Sequence, residues 1–191
     1  MRQLRIPAVY MRGGTSKGVF FLDHDLPRDK AARDRVLLRV IGSPDRYGKH
    51  TDGMGGATSS TSKVVILSKS QRADCDVDYR FGQVSIDAPV IDWSGNCGNL
   101  SAAVGAFAIS SGLVDAPADG TATVRIWQVN IQKKIVNHVP MQGGEVQELG
   151  GFARALATEL GKHGVTVNSV APGGIATRAF PDAGSPTAVK R

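Results

Sequence analysis

Ten consecutive residues, Leu100 to Ile109, hold one serine and one glycine and are otherwise apolar. A helix of that composition has no polar face to offer water, so the rest of the chain must wrap it. Ser110, Ser111 and Gly112 end the run. The segment just before it, Ser94-Gly95-Asn96-Cys97-Gly98-Asn99, places a thiol inside a Gly/Asn loop. Such residues tolerate sharp turns and can aim several backbone N–H groups at one point. Asn99 or Ser101 is expected to cap the helix, whose positive end then faces the loop. A thiol there can take or give a proton. The residues alone leave two readings open: a carboxylate-binding, proton-moving site, or a small buried cysteine in an ordinary turn.

Bulk properties narrow the classes. A chain of 191 residues supports one domain with a sound core or two small ones. It contains no apolar run of membrane-spanning length and no signal-peptide pattern at Met1-Arg2-Gln3-Leu4, so no membrane partner is expected. Cys75 and Cys97 are the two cysteines, which implies no disulfide framework and fits a reducing cytoplasm. The net charge of +6 comes from scattered Lys and Arg, and aromatics are 6% of residues. Neither a basic block nor a stacking platform for nucleic acid follows from that. A small polycarboxylate suits a basic chain better. No His/Cys/Asp cluster has zinc spacing, so no metal is expected.

In chain order, 5–11 and 19–22 read as strands flanking the polar loop Arg12-Gly13-Gly14-Thr15-Ser16-Lys17-Gly18. That loop lacks the phosphate-loop spacing. Residues 29–41 show helical periodicity, with Gly42 at the stop. A long Gly/Ser/Thr loop, 47–62, runs into the apolar strand 64–67 with Lys63 at its mouth. An amine at the mouth of a buried strand is partly desolvated and can act as base or acid, although a surface lysine is the ordinary alternative. Strands follow at 75–81, with 83–87 continuing or following, and at 121–129 and 130–140, the last two as a hairpin. Cys75 reads as structural and His138 as a surface residue.

Three stretches carry a resemblance: 11–18, 52–63 and 94–105. Together they resemble the 2-methylaconitate cis-trans isomerase (PrpF-type) family, over about residues 1–149. The resemblance implies an α+β fold, the diaminopimelate epimerase-like half-barrel of mostly antiparallel strands around a central apolar helix. It implies Lys63 and Cys97 as catalytic residues. Arg12, Ser16, Lys17, Gly95, Asn96, Gly98 and Asn99 would bind the carboxylates of a small tricarboxylate substrate, without a cofactor. The implied reaction is cis-trans isomerisation of an unsaturated tricarboxylate. Alternatives are a 4-oxalomesaconate tautomerase-type reaction and a non-catalytic remnant that only binds polycarboxylates.

From Gly150 the chain changes character. Residues 151–178, with Val167-Asn168-Ser169-Val170-Ala171-Pro172-Gly173, resemble a C-terminal segment of short-chain dehydrogenases. The Gly-rich cofactor loop and the Tyr-x-x-x-Lys pair of that family are missing, so no dehydrogenase function is expected. Family members of the isomerase kind are about twice as long and close their site between two similar halves. This sequence is expected to supply the first half, with a possible homodimer restoring the missing wall.

Overall fold

A computed structural model describes residues 4–147. The dehydrogenase-like stretch lies outside the described residues.

The chain opens with a hairpin. Strands β1 (Val9–Gly13) and β2 (Ser16–Leu22) pair antiparallel, with Gly13 opposite Ser16 across a two-residue Gly14-Thr15 turn. The turn is tighter than the seven-residue loop expected from sequence, so Arg12, Ser16 and Lys17 become ladder residues. Helix α1 (Lys30–Ile41) follows. The Asp29 carboxylate accepts the Ala32 N–H at 2.8 Å, and Gly42 closes the other end with a left-handed backbone. After the loop, β3 (Lys63–Lys69) lies parallel to β2, with α1 inside the crossover such pairing requires. Strand β4 (Val77–Val84) pairs antiparallel with β3 and runs unbroken through Gln83 and Val84. A short β5 (Ile91–Asp92) pairs with its end.

Helix α2 (Gly98–Ser110) is the second crossover and leads into β6 (Gly120–Gln128), parallel to β4. The expected hairpin then appears as β6 and β7 (Lys133–Gln142), and β8 (Glu145–Val146) completes the order β1-β2-β3-β4-β6-β7-β8. Helix α2 touches β1 and β2 near one end of that order and β6, β7 and β8 at the other, so the sheet curls around it. This is the α+β half-barrel of the diaminopimelate epimerase-like fold.

The period of two along each strand divides the side chains between two cores. Phe20, Val65, Leu67, Tyr79 and Phe81 face α2 and pack with Leu100, Val104, Phe107 and Ala108. The rings of Phe20 and Phe107 meet edge to face at 5.4 Å. Val19, Phe21, Val64 and Ile66 face the other way, onto Leu37 and Ile41 of α1. Each such buried side chain contributes about 1.5–3 kcal/mol relative to an exposed one. The burial of α2 is less complete than its composition suggests: Ala102 and Ser110 are exposed and Ala106 is half-buried, one stripe at i, i+4, i+8.

Candidate functional site

The groove forms where the hairpin tip, the first turn of α2 and the start of β3 converge. Gly13 makes the approach possible. A Cβ there would lie 2.2 Å from the Asn99 carbonyl oxygen and 2.9 Å from Leu100 Cα. Gly18 lies two ladder pairs further, where a Cβ would meet Leu100 Cδ1 at 2.9 Å and the Lys63 carbonyl at 3.1 Å. At Gly13 the backbone therefore sits against α2 at a distance no side chain permits, while at Gly18 a side chain would have to displace the end of Leu100.

Cys97 itself is the N-cap of α2. Its Sγ accepts the Leu100 N–H at 3.5 Å and lies 3.6 Å from Ser16 Oγ. The cap expected at Asn99 or Ser101 thus falls on the thiol, because the helix begins at Gly98. Asn99 instead reaches back to the hairpin, donating to Thr15 Oγ1 at 2.9 Å and to Ser16 Oγ at 3.5 Å. Ser101 donates to the Cys97 carbonyl at 2.9 Å. Helix geometry leaves the N–H groups of Gly98 and Asn99 without a helical acceptor, so they are available to an anion.

Lys63 stands across the groove. Its residue is 8% exposed, as is Cys97, so both side chains are largely shielded. Its Nζ donates to Gln83 Oε1 at 2.6 Å and lies 5.0 Å from the centre of the Phe81 ring. Ser59 and Ser60 border the groove because the chain turns at Thr58–Ser62 and the Ser60 carbonyl accepts the Lys17 N–H at 2.8 Å. The groove measures about 630 Å³ and is open along one side; Ser16, Lys63, Asn96, Cys97, Gly98 and Asn99 line it with Thr15, Ser59, Ser60, Phe81 and Gln83.

Strand parity places Arg12 and Lys17 elsewhere. They are register partners on the hairpin face that carries Tyr10, Val19 and Phe21, opposite the one bearing Ser16. Arg12 Nε donates to the Gly14 carbonyl at 2.8 Å. Gly95 precedes the groove lining. Conversely, Phe81 and Gln83 were not singled out in the sequence. Their signal was a polar Gln at the buried register of an alternating strand, two residues from a Phe.

Among the described residues no carboxylate lines the groove. Asp92, close to Cys97 in sequence, is satisfied by Ser94, whose hydroxyl and N–H hold its carboxyl below the usual range. Tyr79 lies fully buried near the Cys97 backbone and Ser101, and burial pushes its phenol up, so it stays neutral. Among the described residues no three His, Cys, Asp or Glu side chains converge as metal ligands would, and no helix is long and apolar enough to cross a membrane.

A curled sheet around a central apolar helix, with an amine and a capping thiol on one groove, defines a diaminopimelate epimerase-like half-barrel. The chain belongs to the PrpF protein family, whose model matches residues 3–181. It is 69% identical over 157 residues to a 2-methyl-aconitate isomerase of Cupriavidus necator, covering 78% of this chain and 40% of that one. It is 51% identical over 150 residues to a 4-oxalomesaconate tautomerase of Pseudomonas putida, covering 78% and 41%. Among solved structures, a methylitaconate-delta-isomerase aligns with a TM-score of 0.72 at 46% identity, over 75% of this chain and 62% of that chain. The chain thus spans about two fifths of the length of the curated relatives it matches.

Proposed function

We propose that this chain carries the amine and thiol of an isomerase acting on small unsaturated tricarboxylates, with 2-methylaconitate as the substrate. The observation that carries the reading is that Lys63 and Cys97 line the same groove. The high identity to a 2-methyl-aconitate isomerase supports the choice of acid over the tautomerase alternative.

The chemistry follows from the groups present. The Lys63 amine takes a proton from the carbon next to the alkene and becomes an ammonium. The electron pair left behind spreads over the double bond and the adjoining carboxylate, which lets the geometry change. The Cys97 thiol then delivers a proton to carbon and becomes a thiolate, and solvent exchange returns the proton from Lys63. A carbon acid of this kind is weak, so the developing charge must be stabilised. The N–H groups of Gly98 and Asn99, with Ser16 Oγ and the Asn96 and Asn99 amides, supply donors for the carboxylates. Arg12 and Lys17 contribute charge at a distance rather than contact.

The test is 2-methylaconitate in deuterated water, followed by proton NMR. Product with deuterium at carbon or altered geometry is expected, and Cys97→Ser should abolish it. Absence of both changes with every aconitate-like acid tried would overturn the reading.

The open side of the groove favours a second reading, in which the chain binds polycarboxylates without turning them over. Water entering from that side weakens each interaction that charge transfer depends on. Calorimetric titration with aconitate separates the two: binding heat without conversion supports the second.

A further inference from the structure

Lys63 and Gln83 are directly opposite one another in the β3–β4 ladder, on the side that faces α2. Their side chains meet at 2.6 Å, with Lys63 Nζ donating to Gln83 Oε1. The other end of the Gln83 amide is also held: Nε2 donates to the Ser62 carbonyl at 2.9 Å. That contact fixes which end of the amide is oxygen, because only the NH₂ can donate to a carbonyl. Gln83 is thus a clamp anchored on the residue before Lys63 and closed on its amine. Phe81, one side-chain step along the same strand, covers a second side of the amine at 5.0 Å.

We propose that Gln83 is a positioning residue for Lys63. It takes one N–H of the amine and leaves the remaining nitrogen valences for the groove that Cys97 also lines. A lysine side chain held at one end by backbone alone has many rotamers, and proton transfer needs the nitrogen within about 3 Å of the carbon-bound proton's path. Packing alone does not require a hydrogen-bonding residue at 83, since an apolar side chain fills the same ladder position. This role rests on the proposed use of Lys63 as the proton-moving amine.

Two substitutions move the amine in opposite chemical directions while keeping the side chain's size. Gln83→Glu puts a carboxylate against the amine and favours the ammonium, whereas Gln83→Leu removes the acceptor and disfavours it. The other titratable group lining the groove is Cys97, which both variants retain. The measurement is competitive trace acetylation across a pH series, read for the Lys63 peptide by mass spectrometry against exposed Lys133. Folding of each variant is checked by near-ultraviolet circular dichroism. In Gln83→Glu the Lys63 profile should move to higher pH, with labelling near pH 8 slowed roughly tenfold. In Gln83→Leu it should move to lower pH. Lys133 should not move in either. Profiles that coincide with wild type, or that shift the same way in both variants, overturn the proposal. The labelling does not depend on turnover. A wild-type chain that fails to convert 2-methylaconitate yet shows opposed shifts would remove the isomerase reading and keep the clamp.

Discussion

The Cys97 sulfur and the Ser16 hydroxyl lie 3.6 Å apart although 81 residues separate them in sequence. That contact joins the hairpin tip to the first turn of α2. The same sulfur receives the Leu100 N–H, so a single atom both caps the helix and faces the groove.

A capping role separates two substitutions at Cys97. Serine keeps an acceptor for the Leu100 N–H, and alanine does not. Cys97→Ala should lose about 1 kcal/mol of stability through the missing cap, while Cys97→Ser stays within a few tenths. Urea denaturation followed by fluorescence checks this. Both variants should be inactive in the deuterium assay, so stability and turnover part company at this residue.

Lys63→Met keeps the length of the side chain and removes the amine. Proton transfer by a positioned group contributes roughly 10²–10⁴-fold, and deuterium incorporation should fall by at least the lower figure. The circular dichroism spectrum should match wild type. Undiminished incorporation would show that another group moves the proton.

The glycines of the hairpin should rank by what a methyl group would strike. At Gly13 it meets backbone on α2 at 2.2 Å, which no rotamer can relieve. Gly13→Ala should cost more than ~3 kcal/mol or prevent folding. At Gly18 the nearest atom, at 2.9 Å, is the end of the Leu100 side chain, with the Lys63 carbonyl at 3.1 Å. Gly18→Ala should cost about 1–3 kcal/mol. Denaturation midpoints for the two variants, compared directly, test the order.

Acid should weaken the far side of the sheet. Lys134 and Arg72 hold the Asp74 carboxyl down from 3.8 to about 2. The Arg125 guanidinium and N–H lower Asp76 likewise. Both groups have folded values below their unfolded ones. Their contribution is therefore complete above about pH 4 and is lost as pH falls toward 2. Urea midpoints should drop across that window. Asp76→Asn should flatten the drop without altering the groove, which lies elsewhere.

The elements were legible because their signals are local. Asp29 and Gly42 bracket α1 as a cap and a left-handed stop should, and the alternation of Thr121 to Val129 reads directly as a strand. The direction of the hairpin side chains was not legible. A polar run from Arg12 to Gly18 does not say how many residues the turn consumes. Closing it with two residues sends Ser16 to the groove and Lys17 away from it, since one step of register exchanges the faces.

Composition and spacing alone required that Leu100 to Ile109 be wrapped and that a thiol stand at its start, because an apolar helix cannot face water on most sides. Which residues meet that thiol was settled by folding. Ser16 reaches it, and Lys63 and Gln83 come to line the same groove, through ladder pairings and a close backbone approach between distant segments, and no short-range preference along the chain encodes those.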